Sequence, residues 1–178
     1  IFIVDDEADI RESLSGILSD EGYAPRAGAN SQAAMAAIQE HEPSLVILDI
    51  WLENSALDGL ELLEHLRTQY PLLPVVMISG HGNIETAVDA IRQGAYDFIE
   101  KPFTADRLLL VVSRAIEAGR LRRENEELRL RYGQGSDLVG ETSAINSMRA
   151  AIGKVAPTGS RVLITGPAGS GKEVAARL

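Results

Sequence analysis

The most constraining feature of this chain is a run of apolar residues that ends in a single acid. Leu45 to Leu48 are all apolar, and Asp49 follows them directly in the stretch SLVILDI, residues 44–50. Such a run is typical of a strand that is buried on both faces of a parallel sheet. Ligands bind where the carboxyl ends of such strands meet, so an acid there is better placed for chemistry than for stability. The alternative is that Asp49 caps the helix that follows.

Three further strand-like runs end in groups that can meet Asp49. IFIVDD ends in Asp5 and Asp6, VVMIS ends in Ser79, and DFIEKP reaches Lys101. Because the carboxyl ends of parallel strands lie at one edge of the sheet, we expect these side chains to converge. This constellation favours a chemical role for Asp49 over a helix cap.

Strands alternate with helical patterns over the first two thirds of the chain. The predicted strands are residues 1–4, 23–27, 44–50, 75–78 and 97–100. Helices are predicted between them, at residues 8–21, 30–40, 59–70 and from 84 to the stop at Gly94, with a fifth from 105. This order predicts right-handed crossovers and an α/β fold with a five-stranded parallel sheet covered on both faces.

The fifth predicted helix begins near Ala105 and meets no breaker before Gly133 apart from Gly119. Its distal part carries a seam of residues at alternating spacings of three and four, namely Ala118, Leu121, Asn125, Leu128 and Tyr132. We favour a dimeric coiled coil with a polar Asn that sets the register. A solvated charged helix is the alternative, because the seam covers only about two heptads.

A second αβ unit follows GQGS, residues 133–136, which we interpret as a linker. A helix is predicted over 144–155 after a cap at Thr142 or Ser143, then a strand over RVLIT, residues 161–165. The strand leads into GPAGSGKE, where glycines let backbone amides cradle phosphate oxygens and a lysine neutralises the phosphates. The predicted phosphate loop comprises Gly166, Pro167, Ala168, Gly169, Ser170, Gly171, Lys172 and Glu173. Its last residue stands where the general pattern has Ser or Thr.

The predicted cluster of acids calls for a cation. Asp5, Asp6 and Asp49 cannot lie close together fully ionised without one, and hard oxygen ligands select Mg²⁺. With Mg²⁺ bound, Asp49 can attack a phosphoryl group as a nucleophile and form an aspartyl phosphate. Ser79 and Lys101 can each hold a phosphoryl oxygen.

The residue two positions beyond Asp49 bears on the fate of that aspartyl phosphate. A hydrolase that turns over such an intermediate usually has a second acid as general acid or base. Trp51 occupies this position instead. We therefore expect the intermediate to persist, which suits a switch better than a catalyst.

Composition excludes some classes of function. Apolar residues make up 45% and charged residues 24% of the 178 positions, as in ordinary globular proteins, and the formal charge of −9 argues against binding nucleic acid through its phosphates. The absence of cysteine excludes disulfides. No apolar run reaches the ~20 residues of a membrane span, and no leader opens the chain. We expect a cytoplasmic protein, cut at both ends, since the chain lacks an initial Met and stops at Leu178.

Residues 1–118 resemble the receiver domain of two-component response regulators, with VDDE, ILDI, MISG and EKPF in the expected order. The resemblance implies a flavodoxin-like (βα)5 fold. The resemblance implies that Asp49 is the phosphoacceptor and that Asp5, Asp6 and the backbone carbonyl of Trp51 are magnesium ligands. It also implies that Ser79 is the switch hydroxyl, Phe98 the aromatic switch and Lys101 the family lysine. The loop between the phosphoacceptor and Gly59 is longer than usual in the family and lacks its Met-Pro.

Residues 137–178 resemble the start of the AAA+ domain of nitrogen-regulation activators of the NtrC and NtrX type, in which Glu after the phosphate-loop lysine is usual. The resemblance implies ATP with Mg²⁺ in a complete AAA+ domain, whose hydrolytic residues would lie beyond Leu178. It divides the chain into a receiver domain (1–118), a helical linker (119–136) and an AAA+ fragment (137–178).

The implied partners are a cognate sensor histidine kinase and a second copy of the chain, bound through the receiver face and the helical linker. For the full-length protein the implied partners are DNA and sigma-54 RNA polymerase, and binding to a membrane is not expected. Two alternatives stay open. One is an enzyme, either an aspartyl-phosphate phosphatase or a phosphate-loop nucleotidase, and the other is a degenerate receiver that binds partners without phosphorylation.

Overall fold

The computed structural model describes residues 1–80, 84–133 and 138–177, with the backbone alone at 131–133 and 177. The chain divides into two compact units, Ile1–Arg123 and Glu124–Leu178. This division lies inside a helix that runs through the predicted boundary at residue 118. The predicted linker over 133–136 lies mostly outside the described residues, as do residues 81–83 of the predicted loop SGHGN.

The first unit is built on a parallel sheet of five strands in the order β2-β1-β3-β4-β5. The strands are β1 (Phe2–Val4), β2 (Arg26–Gly28), β3 (Val46–Asp49), β4 (Val75–Ser79) and β5 (Asp97–Glu100). The chain passes from β1 outward to β2 and then returns to β3 on the other side of β1. This reversal opens a crevice at the carboxyl ends of β1 and β3, where α/β proteins bind ligands.

Five helices cover both faces of the sheet and confirm the predicted α/β fold. They are α1 (Ala8–Asp20), α2 (Ser31–Glu40), α3 (Gly59–Gln69), α4 (Ile84–Arg92) and α5 (Ala105–Gly133). Alternate strand residues enter two apolar clusters: Leu48 and Met77 pack with residues of α2 and α3, whereas Ile47 and Ile78 pack with residues of α1 and α5. The continuous run before Asp49 is therefore apolar because β3 is buried on both faces.

The second strand begins later than predicted. The prediction of residues 23–27 is wrong, because β2 spans Arg26–Gly28. The amide of Tyr23 donates to the carbonyl of Leu18 and closes the end of α1, and Pro25 has no amide proton to offer a ladder. Pairing therefore starts at Arg26, opposite Phe2.

The second unit contains the predicted helix but lacks the predicted strand. Helix α6 (Ser143–Val155) is capped by the side chain of Thr142, and α7 (Lys172–Arg177) follows the glycine-rich loop. Residues 161–165 have no regular secondary structure, so the strand prediction is wrong. A strand needs a hydrogen-bonded neighbour, and no described residue of this unit pairs with that segment.

Candidate functional site

Three carboxylates meet at the carboxyl edge of the sheet. Asp5 and Asp6 directly follow β1, Asp49 ends β3, and these two strands are paired with Val4 opposite Leu48. One carboxylate oxygen from each acid lies within 4.8 Å of the others. Asp5 and Asp49 are buried and Asp6 is half-buried. The expected convergence of these three acids is confirmed.

Lys101 supplies the positive charge of this cluster. Its ammonium donates to one carboxylate oxygen of Asp5 and to one of Asp49, both at 2.8 Å. The carboxylate of Glu7 lies 3.6 Å away, on the solvent side of the same ammonium. The Lys101 side chain is 11% exposed and those of Asp5 and Asp49 are 0% and 5% exposed, so these two ion pairs are shielded from water, whereas the Glu7 carboxylate is exposed. Glu7 was missed by the sequence analysis.

Burial and charge shift the ionisation of the two central groups. Burial raises the pKa of Asp49, the hydrogen bond from Lys101 opposes this, and the charge of Asp5 adds to the increase. Burial alone would lower the pKa of Lys101, but its hydrogen bonds to Asp49 and Asp5 outweigh burial and raise that pKa. Lys101 therefore stays protonated. One ammonium does not balance three carboxylates, and a purely oxygen-bearing donor set of this kind fits Mg²⁺.

Ser79 lies at the same edge of the sheet, and Phe98 lies away from it. Ser79 ends β4 and is fully buried, and its carbonyl accepts a hydrogen bond of 2.8 Å from the amide of Lys101. Phe98 is half-buried opposite Met77 and lines a cavity of about 940 Å³ between β5 and α4, whose walls include Ile84 and Val88. The two predicted switch residues thus lie at the carboxylate edge and beside α4, respectively.

Trp51 begins the loop that follows β3. Its amide donates to a carboxylate oxygen of Asp49 at 3.3 Å, and 55% of the residue is exposed. At the far end of this loop, the amide of Gly59 donates to the carbonyl of Ile50 at 2.9 Å. A Cβ at Gly59 would collide with the backbone oxygen of Asp49. Only glycine therefore permits this closure of the loop against the carboxylate edge.

Arg11 is a further residue of the site that the sequence analysis missed. Its guanidinium donates to the backbone carbonyls of Asp5 and Asp6, at 2.7 and 2.9 Å. The turn is also held by the amide of Glu7, which donates to the carboxylate of Asp5 at 2.9 Å. Arg11 therefore fixes the turn that carries the acidic pair. No side-chain spacing in the sequence signals this role, because the acceptors are backbone carbonyls.

The glycine-rich loop of the second unit, residues 166–171, directly precedes α7. Lys172 begins α7, and its ammonium donates to the carbonyls of Gly166 and Pro167, at 3.0 and 2.5 Å. Gly169 and Gly171 have positive φ angles of 78° and 79°, which non-glycine residues rarely adopt. These glycines allow the loop to fold around its own lysine. The remaining predicted residues of the loop are Ala168, Ser170 and Glu173.

Comparison with known proteins identifies both units. Residues 1–113 match the family model of the response regulator receiver domain, and residues 138–178 match that of the sigma-54 interaction domain. The nitrogen assimilation regulatory protein NtrX of Azorhizobium caulinodans is 56% identical over all 178 residues, which correspond to 39% of that protein.

Two solved structures are similar to the chain. The crystal structure of NtrX from Brucella abortus in complex with ATP has a TM-score of 0.73 and 58% identity, and the match covers 98% of this chain and 38% of that one. The solution structure of the beryllofluoride-activated NtrC4 receiver domain dimer has a TM-score of 0.63 and 39% identity, and the match covers 66% of this chain and 96% of that one.

The fold and the matched families define a receiver domain followed by part of a sigma-54 interaction domain. The chain belongs to the family of NtrX- and NtrC-like response regulators of two-component systems. It spans 37% to 39% of the length of curated relatives that it matches. Within the residues that the structure describes, no helix has both the length and the apolar character that crossing a membrane requires.

Proposed function

We propose that Asp49 accepts a phosphoryl group, with Mg²⁺ bound beside it, as the input step of a two-component phosphorelay. The observation that carries this proposal is the cluster of Asp5, Asp6 and Asp49 carboxylates within 4.8 Å, with Lys101 bonded to two of them. A phosphoryl group brings further negative charge to this edge. Two cations, the ammonium and the metal, are suited to balance that charge.

The donor set determines how the metal would be held. Asp5, Asp6 and Asp49 offer carboxylate oxygens, and the backbone carbonyl of Trp51 is the proposed further ligand. Mg²⁺ prefers such oxygen donors and keeps several waters, one of which a phosphoryl oxygen can replace. When bound, the ion stabilises negative charge on the phosphoryl oxygens. Arg11 holds the turn that presents the first two acids.

Asp49 is the nucleophile of the proposed step. One of its carboxylate oxygens forms a bond to phosphorus while the phosphorus–nitrogen bond of a phosphohistidine on the sensor kinase breaks. The imidazole leaves and takes a proton from solvent. Lys101, already bonded to Asp49, then donates to a phosphoryl oxygen, and the Ser79 hydroxyl donates to another. Trp51 stands where a second acid would act as general acid or base, so we expect the aspartyl phosphate to persist.

In our proposal, Ser79 and Phe98 connect phosphorylation of Asp49 to helix α4. Ser79 moves toward the phosphoryl group, and Phe98 turns into the cavity beside α4. That cavity of about 940 Å³ and the half-buried state of Phe98 support such a movement. The surface formed by α4 and β5 changes shape as a result.

Phosphorylation then acts on a homodimer formed through the receiver face and the helical linker. The α4 side chains of Ile84, Val88 and Ile91 are exposed, as are Leu121 and Leu128 of the seam. Exposed apolar groups of this kind support an interface. The beryllofluoride-activated NtrC4 receiver domain is a dimer, which supports the receiver part of this assembly by likeness. The predicted seam residue Tyr132 has a side chain outside the described residues.

The second unit serves as the start of an ATP-binding output domain. The solved complex of Brucella NtrX with ATP supports this by likeness, and the glycine-rich loop with Lys172 supplies the phosphate-binding pattern. We propose the division 1–118, 119–136 and 137–178 for receiver, linker and output fragment. In the full-length protein the partners are DNA and sigma-54 RNA polymerase, in the cytoplasm.

Incubation of the chain with a small phosphodonor and Mg²⁺ tests the proposal. The expected result is a label that persists on the protein and that hydroxylamine releases, as it does from an acyl phosphate. Continuous release of inorganic phosphate would instead indicate a phosphatase, and a chain that takes no label would be a degenerate receiver. Omission of Mg²⁺ should abolish labelling, because the carboxylate cluster would then repel the incoming phosphoryl group.

A further inference from the structure

Ser31 and Ser55 form a hydroxyl pair that no motif predicted. Ser31 is the first residue of α2 and is 2% exposed, and Ser55 lies in the loop of residues 51–58. The Ser55 hydroxyl donates to the Ser31 hydroxyl at 2.8 Å and accepts from the Ser31 amide at 2.9 Å. The Ser31 hydroxyl donates to the side chain of Gln32 at 3.2 Å and accepts from the amide of Leu57 at 3.2 Å.

These bonds tie the tip of the loop to a helix that is distant in sequence. The first amides of a helix have no partner within it, and Ser55 satisfies one of them at the start of α2. Around Ser55 the loop is exposed at Glu53, Asn54 and Ala56, and Asn54 has the positive φ of 53° that turns the chain back toward α2. A buried hydroxyl that lost these partners would be costly, so the pair holds the loop in one place.

The other end of the same loop reaches the carboxylate edge. The amide of Trp51 donates to the carboxylate of Asp49, and the loop closes at its base through the bond from Gly59 to Ile50. Between base and tip, Leu52 packs into the apolar cluster. The loop is therefore fixed at its base, at Leu52 and at its tip, and the attachment at the tip depends on two small polar side chains.

We infer that Ser31 and Ser55 are positioning residues for the phosphoacceptor site. Their hydroxyl pair holds the 51–58 loop so that the backbone of Trp51 stays bonded to Asp49 and close to the proposed Mg²⁺. Neither serine touches a carboxylate of the cluster. This role rests on the proposed function and adds to it a contact between α2 and the site. Residues that orient metal ligands in this way typically change metal affinity by about 10- to 100-fold when removed.

The test uses the whole chain and four variants. Ser31→Ala and Ser55→Ala each remove the hydroxyl pair, and Ser55→Thr retains a hydroxyl at a half-buried position. Ser113→Ala is the matched control, because the Ser113 hydroxyl is exposed and bonds only within its own helix, to the carbonyl of Leu110. Two quantities are measured: Mg²⁺ affinity by calorimetry, and hydrogen exchange of the Leu57 amide by NMR in the metal-free chain.

Both alanine variants should bind Mg²⁺ about tenfold more weakly and exchange the Leu57 amide faster, with the rest of the receiver unit protected as in the parent chain. Ser55→Thr and Ser113→Ala should retain the parent values. If both alanine variants bind Mg²⁺ as tightly as the parent chain, the positioning role is overturned while the proposed function stands. The same holds if Ser55→Thr does not retain the Mg²⁺ affinity of the parent chain. A parent chain that takes no Mg²⁺ would overturn both.

Discussion

The receiver unit and the second unit contain the same sequence pattern, an apolar run followed by a polar loop and a helix. Strand β3 lies between β1 and β4, and all four of its residues are buried. Residues 161–165 are similarly apolar, yet Val162 and Leu163 are 60% and 87% exposed. Helix α6 likewise has no buried residue. The comparison teaches that an apolar run indicates a tendency to form a strand, whereas neighbouring strands determine whether the strand forms.

The largest expected effect is a difference in stability between a leucine-to-alanine substitution in the receiver unit and one in the second unit. Leu14→Ala in α1 removes a fully buried side chain and should lower the free energy of unfolding of the receiver unit by about 2 to 5 kcal/mol. Leu163→Ala removes an exposed side chain and should change that free energy by less than about 0.5 kcal/mol. Denaturant unfolding followed by Trp51 emission measures both. Equal losses would contradict the burial of Leu14 and the exposure of Leu163.

Glycine-to-alanine substitutions in the two units should change stability in opposite directions. Gly59→Ala places a methyl group against the backbone of Asp49 and Ile50 and should cost about 3 kcal/mol of receiver stability. Gly153→Ala lies in helix α6 with open space around the position, and should stabilise that helix by up to about 1 kcal/mol. Thermal unfolding followed by circular dichroism measures the direction of each change. A stabilised Gly59→Ala chain would contradict the described closure of the loop.

Helix α5 joins the two units and carries the predicted seam. Replacing Leu121 and Leu128 together by Glu should raise the dissociation constant of the homodimer by about tenfold or more, because each exposed leucine would be buried in the dimer. Leu130→Glu is the matched control, exposed on the same helix but off the seam. Sedimentation measures the association. Unchanged association of the double variant would place the interface on the receiver face alone.

The smallest expected effect is spectroscopic and concerns the receiver unit alone. Mg²⁺ should change the emission of Trp51, because its backbone is bonded to Asp49 beside the proposed metal. Asp6→Ala should remove this change by deleting a ligand carboxylate, whereas Glu12→Ala, an exposed acid on α1, should retain it. Flat emission while calorimetry still detects Mg²⁺ binding would show that the loop does not follow the metal.

Local patterns predicted most of the receiver fold. Buried strands read as apolar runs, and Gly22 and Gly94 end helices with positive φ angles as expected. The meeting of Asp5, Asp6 and Asp49 followed from one rule, that parallel strands share a carboxyl edge. The start of β2 could not be predicted, because Tyr23, which lies in a sequence typical of a strand, belongs to the turn that closes α1.

The missed contacts share a physical cause. The pair of Ser31 and Ser55 joins positions 24 residues apart, and the ion pair of Lys101 with Glu7 joins the two ends of the receiver sequence. Side-chain reach across such separations leaves no periodic signal in the sequence. Arg11 is closer in sequence, but its role is visible only once the carbonyls of the acidic turn are seen to face it. The sequence predicted that the three acids and Lys101 meet, and the structure was needed to find Arg11 and the serine pair, which hold the adjoining turn and loop.

The proposed phosphoryl chemistry takes place in the receiver unit, at Asp49. Labelling by a small phosphodonor with Mg²⁺ should proceed in the parent chain, be absent in Asp49→Asn, and be unchanged in Lys172→Ala of the second unit. The amide of Asn keeps the volume of the side chain but loses the nucleophile. Labelling of Asp49→Asn at the parent rate, or its loss in Lys172→Ala, would contradict the assignment.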